Sequence, residues 1–171
     1  HRCLLPRTAG ILHLIALSSL RGEAYGSRPA ITLDDRALLL SRGTGIERYE
    51  LAYITGSGLG QRSARYDGAT AADVVFAQDP NTALVLDPDG LVHFLDVTTL
   101  QSVRDPIPFT PLRTGQRRLR NTHGAVSPDG KYLVVNTGDQ ADITIIDLAS
   151  GASAVVGVPG LLNTWGLAFN Y

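Results

Sequence analysis

Ile143-Thr144-Ile145-Ile146-Asp147-Leu148 decides the fold, because three other stretches superimpose on it without a gap. They are Leu12-His13-Leu14-Ile15-Ala16-Leu17, Ile46-Glu47-Arg48-Tyr49-Glu50-Leu51 and Val92-His93-Phe94-Leu95-Asp96-Val97. Successive starts are 34, 46 and 51 residues apart. Glu50, Asp96 and Asp147 share the fifth place, an apolar residue follows in every copy, and small residues such as Thr98-Thr99 and Ala149-Ser150 come next. A short run rich in Val, Ile, Leu and Thr that ends in such residues reads as a strand entering a turn.

A second segment keeps step with the first. Ala30-Ile31-Thr32-Leu33-Asp34-Asp35-Arg36, Val75-Phe76-Ala77-Gln78-Asp79-Pro80-Asn81 and Ala125-Val126-Ser127-Pro128-Asp129-Gly130-Lys131 start 45 and 50 residues apart. Their later halves carry the Pro, Asp, Asn and Gly of tight turns. Another apolar run follows each: Ala37 to Leu40, Thr82 to Leu86, Tyr132 to Val135. The unit is therefore strand, turn, strand, loop, strand, turn and a weaker fourth strand such as Ala152 to Val156. No stretch holds a helical period long enough to bury a stripe.

A four-strand unit of about 40 to 50 residues fits a propeller blade better than a solenoid turn. The expected fold is all-β, a partial β-propeller of four-stranded antiparallel blades. The chain divides into 1–25 (the end of a blade), 26–70, 71–119 and 120–160 (three blades) and 161–171 (the start of the next). Ile143, Ile145, Ile146 and Leu148 are all apolar, as expected of a strand packed on both faces. With no Met in its sequence, the chain reads as a piece of a longer product.

Ser127-Pro128-Asp129-Gly130-Lys131-Tyr132-Leu133-Val134-Val135-Asn136, continued by Ile143-Thr144-Ile145-Ile146-Asp147 and Ser150-Gly151, resembles the Tyr-Val-Thr-Asn repeat and lactonase-like group of β-propellers. Val134-Val135-Asn136-Thr137 stands where that tetrapeptide would be, and the Gly-His and Trp-Asp pairs of the Trp-Asp repeat group are absent. The resemblance implies the fold and, for location, an extracytoplasmic compartment. It implies little about function, since propellers host scaffolds, hydrolases and redox enzymes alike.

Charge and composition remove several classes. Fifteen basic against sixteen acidic residues leave a net charge of -1, so no global field draws nucleic acid or an anionic membrane. The lone Cys3 has no internal disulfide partner, and no Cys/His spacing points to zinc. No stretch is long enough for a membrane span, and no cofactor is implied. Leu4 to Tyr25 has the outline of a secretory signal, but the repeat claims Leu12 to Leu17 as a strand.

Most candidate motifs have structural readings. Gly56-Ser57-Gly58-Leu59-Gly60 lacks the helix that a phosphate loop requires and reads as a connection. Asp87-Pro88-Asp89-Gly90 offers too few oxygen ligands for calcium and reads as a hairpin turn. Arg113, Arg117, Arg118 and Arg120 could meet phosphate or an acidic partner, but have no aromatic residues interleaved for base stacking and read as an inter-blade loop. Glu50, Asp96 and Asp147 read as turn acceptors. His13 and His93 read as buried strand histidines.

One set stands apart. Arg28, Asp73 and His123 occupy the same repeat position, just before the first strand of each blade, and Asn163-Thr164-Trp165-Gly166 echoes Asn121-Thr122-His123-Gly124, which adds Trp165. First strands line the central channel of a propeller, so these four residues are the candidate ligand-binding ring. The expected function is a non-catalytic scaffold that binds a protein or small molecule on the channel face. The alternative is a lactonase-like or redox enzyme using His123 with Asp73 as acid, base or metal ligand.

Overall fold

The structure, a computed structural model, describes residues 29–34, 36–42, 45–50, 62–69, 73–77, 79–87, 90–109, 123–136, 142–158 and 169. These form three antiparallel sheets of four strands each, in chain order. The first holds β1 (Ala30–Ile31), β2 (Ala37–Arg42), β3 (Gly45–Glu50) and β4 (Arg62–Tyr66). The second holds β5 (Asp73–Phe76), β6 (Thr82–Leu86), β7 (Leu91–Asp96) and β8 (Ser102–Pro108). The third holds β9 (His123–Val126), β10 (Tyr132–Asn136), β11 (Asp142–Asp147) and β12 (Ser153–Gly157). The repeated segments at Ile46, Val92 and Ile143 are third strands of successive sheets, each beginning one residue earlier than the alignment suggests. The expected strand at Leu12 to Leu17 lies outside the described residues.

Cross-strand pairing repeats in register from sheet to sheet. One row of paired residues reads Ala30-Leu39-Arg48-Ala64 in the first sheet, Val75-Leu84-Phe94-Arg104 in the second and Ala125-Val134-Ile145-Ala154 in the third. A second row reads Ser41-Ile46-Tyr66, then Asp73-Leu86-Val92-Ile107, then His123-Asn136-Ile143-Val156. Because side chains alternate along a strand, these rows share one face of each sheet. We call it the receiving face, since the following sheet packs on it.

Two apolar layers hold the stack. Leu39 and Ile46 of the first sheet cluster with Val74, Ala83, Val85 and Leu95 of the second. Leu84, Leu86, Val92, Phe94 and Ile107 of the second cluster with Leu133, Val135 and Ile146 of the third. The second sheet is thus buried on both sides, which accounts for its near-continuous apolar strands. Each fully buried Leu or Ile contributes roughly 1.5–3 kcal/mol.

The turns repeat as well. Between β1 and β2 the Thr32 hydroxyl donates to Asp34, whose carboxylate also accepts the Arg36 N–H. Ser127, Asp129 and Lys131 repeat this between β9 and β10. Between β5 and β6 Ala77 has no hydroxyl, and Asp79 takes the Asn81 N–H and the Thr82 hydroxyl instead. After β7 and β11, Asp96 accepts from the N–H groups of Thr98 and Thr99, and Asp147 from those of Ala149 and Ser150. These two acids therefore close turns, whereas Glu50 pairs with Arg48 at the end of β3. Both turns pass through the left-handed region, with Gly151 at φ 75° and, less commonly, Leu100 at φ 55°. Burial of the Leu100 side chain beside Leu95 and Val97 offsets that strain.

Candidate functional site

At one end of the sheets β5 and β9 begin while β6 and β10 finish, so the residues pairing there form a common rim. Asp73 and His123 are the first residues of β5 and β9, within the strands rather than just before them. The two strands lie against each other across the seam between the second and third sheets. His123 Nδ1 stands 3.8 Å from Asp73 Oδ2. The same oxygen accepts the Gly124 N–H at 3.1 Å, and the other accepts the Val74 N–H at 3.1 Å. Asp73 and His123 are 7% and 5% exposed, so this carboxylate joins the two sheets away from bulk water. Hydrogen bonds of this charge-assisted kind are about twice as strong as neutral ones.

Gly124 explains how the strands approach so closely. A Cβ placed there would stand 2.8 Å from Leu86 Cδ1, closer than real contacts allow, and a tight 3.0 Å from Val75 Cγ2, so these side-chain ends would have to shift. The lack of a side chain lets the Gly124 N–H reach Asp73. Arg28 and Trp165, the other members of the expected ring, lie outside the described residues.

The first seam carries a second polar group that sequence reading did not assemble. Tyr66, the last residue of β4, places its hydroxyl 3.1 Å from His93 Nδ1, and His93 Nε2 is 3.5 Å from Asp87 Oδ2. With the ring proton on Nε2, toward the carboxylate, Nδ1 accepts from the tyrosine; with it on Nδ1, the ring donates to the tyrosine oxygen. His93 is a buried strand histidine, as expected, and Asp87 opens the turn in which the Gly90 N–H donates to the Asp87 carbonyl.

On the opposite face of the first sheet, buried Glu47 accepts from Tyr49 at 2.5 Å and from Arg62 and Arg65 at 3.0 Å each. Both arginines are thereby held by a carboxylate rather than offered to an anion. Among the described residues no group of three or more His, Cys, Asp and Glu could hold a metal ion, and no helix is long and apolar enough to cross a membrane. The Arg113 to Arg120 cluster, the Gly56 to Gly60 stretch and His13 lie outside the described residues.

No family model matches the chain, and no curated protein sequence does. Solved structures do match in fold. The dihydro-heme d1 dehydrogenase NirN in complex with DHE is 17% identical with a TM-score of 0.52, the match covering 77% of this chain and 28% of that one. BamB from Moraxella catarrhalis is 12% identical with a TM-score of 0.56, covering 82% and 40%. Kuenenia stuttgartiensis hydrazine synthase is 21% identical with a TM-score of 0.50, covering 77% and 37%. All three are β-propeller proteins, and at these identities the likeness concerns the fold alone. The chain spans 28% to 40% of their lengths. Three stacked four-stranded sheets with these neighbours form part of a β-propeller.

Proposed function

We propose that this chain is part of a non-catalytic propeller scaffold that binds a protein or small-molecule ligand on its channel face, at a ring to which Arg28, Asp73, His123 and Trp165 each contribute from a different blade. The observation behind this reading is the convergence of His123, the Gly124 N–H and the Val74 N–H on the Asp73 carboxylate. Equivalent residues of consecutive blades are neighbours at that rim, as a ring around an axis requires. By the same repeat, Arg28 adds a cationic donor and Trp165 an apolar wall, a mixture common in small-molecule sites. One feature speaks against Asp73 as a general base: each of its oxygens already accepts a backbone N–H, whereas a general base needs access to the proton it removes.

The second reading is a lactonase-like or redox propeller enzyme in which His123 and Asp73 act as an acid-base pair. The closeness of a histidine to a buried carboxylate favours it, and NirN and hydrazine synthase are enzymes by name. Trp165, the sole tryptophan, reports on the ring. In the intact propeller its fluorescence should respond to titration with small carboxylates or acidic peptides, and His123→Ala should abolish the response without unfolding the protein. Hydrolysis of simple lactones that is lost in His123→Ala would establish the enzymatic reading instead. No fluorescence response to any of these probes would count against the ring.

A further inference from the structure

We infer that β12 is an interaction edge on which a second copy of this chain pairs antiparallel, strand to strand, about a symmetry axis through Val155. The contact lies on the outer rim of the stacked sheets and is independent of any ligand on the channel face.

The outer strands of the sheets, β4, β8 and β12, differ in how they guard their free edge. An unpaired edge invites another strand, and proteins blunt it with charge, proline or irregular pairing. The place between the two repeated rows is Arg65 in β4, Asp105-Pro106 in β8 and Val155 in β12. Register shifts interrupt the pairing of β4 with β3 and of β8 with β7, whereas β12 pairs with β11 without a break. β12 reads Ser153-Ala154-Val155-Val156-Gly157, with no charge and no proline, and is exposed along its whole length. Val155 itself is 46% exposed. Among the described outer strands, β12 is the one that lacks every such guard.

Its backbone suits its own copy. The Asp147 N–H donates to the Ala152 carbonyl at 2.8 Å, and bonded pairs alternate along an antiparallel ladder. Ala154 and Val156 therefore turn their N–H and C=O groups toward Ile145 and Ile143, their partners on β11. Ser153, Val155 and Gly157 turn theirs outward. These residues are spaced evenly about Val155, so an antiparallel copy sets Ser153 of each chain against Gly157 of the other, and Val155 against Val155. Each outward N–H then meets an outward carbonyl. Ala154 of each chain faces Val156 of the other, small against large, and no like charges oppose one another. One short strand buries far less than a standard interface, so the dimer is weak and concentration-dependent.

Sedimentation of the full chain over a range of concentrations tests the edge, with Cys3→Ser removing the native thiol. It should show a monomer–dimer equilibrium. Val155→Pro removes only an N–H that points outward, and Val155→Lys sets like charges against each other. Each should raise the dimer dissociation constant at least about tenfold with the far-UV circular dichroism unchanged. Val155→Thr keeps both the N–H and the β-branched shape and should leave the constant within about twofold. Register is tested by mixing chains that carry Ala154→Cys with chains that carry Val156→Cys. Opposed residues of a non-bonded pair stand about 4.5 Å apart at Cα, so the mixture should form a disulfide-linked dimer far more readily than either variant alone. A chain that stays monomeric, or whose association survives both Val155→Pro and Val155→Lys, would overturn the inference. So would a dimer that yields no link on mixing. Should Val155→Pro disturb the fold, the lysine variant and the cross-link decide.

Discussion

The two seams solve one packing problem with opposite residue sizes. In the first seam the receiving face offers Ala30 and Ser41 at its inner corner, and the incoming strand presents Val74. In the second the same corner holds Val75 and Leu86, and the incoming strand presents Gly124, where a methyl group would displace the ends of both side chains. Large meets small in both cases, in opposite order. Volume is thus conserved across each seam rather than at each position, as a close-packed interior demands. The polar fastenings differ too: the first seam has the Tyr66 to His93 contact at its outer strand, whereas the second has Asp73 bonded to the Gly124 N–H at its inner strand.

This contrast orders the expected effects. Gly124→Val should be the most damaging, destabilising by about 3 kcal/mol or more through overpacking against Leu86 and Val75, read from urea unfolding. Val74, at the equivalent place, should respond to the opposite change, with Val74→Ala costing about 2 kcal/mol as a cavity opens. Equal tolerance at the two positions would break the comparison. Asp73→Ala should cost about 1–3 kcal/mol by leaving the Gly124 N–H buried without its acceptor, and hydrogen exchange at that amide should accelerate. Tyr66→Phe should cost about 1 kcal/mol and loosen the first seam while leaving exchange at Gly124 unchanged.

The smallest effect concerns acid. Hydrogen bonding holds the turn carboxylates below the usual aspartate range: the Thr99 N–H does so for Asp96, the Ser150 N–H for Asp147, the Thr32 hydroxyl for Asp34 and the Ser127 hydroxyl for Asp129. Their folded-state pKa values lie below the unfolded ones, so their stabilisation is fully present above the unfolded value and is lost as pH falls through the folded one. Unfolding midpoints should therefore drop below about pH 4. Asp147→Asn should flatten that slope slightly without altering the seams.

What the sequence revealed follows from where the repeat is strong. Third strands, hairpin turns and the roles of Asp96 and Asp147 were legible because acid, apolar and small residues recur at fixed offsets. The closeness of Asp73 to His123 was legible for the same reason, since equal repeat positions become neighbours in a stack. The Tyr66, His93 and Asp87 group was not, because Tyr66 sits in Arg62-Ser63-Ala64-Arg65-Tyr66, a fourth strand too polar to announce itself. Glu47 was missed for a related reason. A carboxylate within a strand reads as exposed, and its burial depends on Tyr49, Arg62 and Arg65, which only strand pairing brings together.

The central claim, that the second and third sheets stack face to face with Gly124 against Leu86, is tested most directly by a double-mutant cycle. Gly124→Ala and Leu86→Ala should each destabilise the chain, and Gly124→Ala should cost less when Leu86 is already alanine, because the space left by Leu86 takes the new methyl group. The expected coupling is about 1 kcal/mol or more, within the range for residues in contact. Additive effects, with no coupling between positions 86 and 124, would contradict the stacked-sheet account.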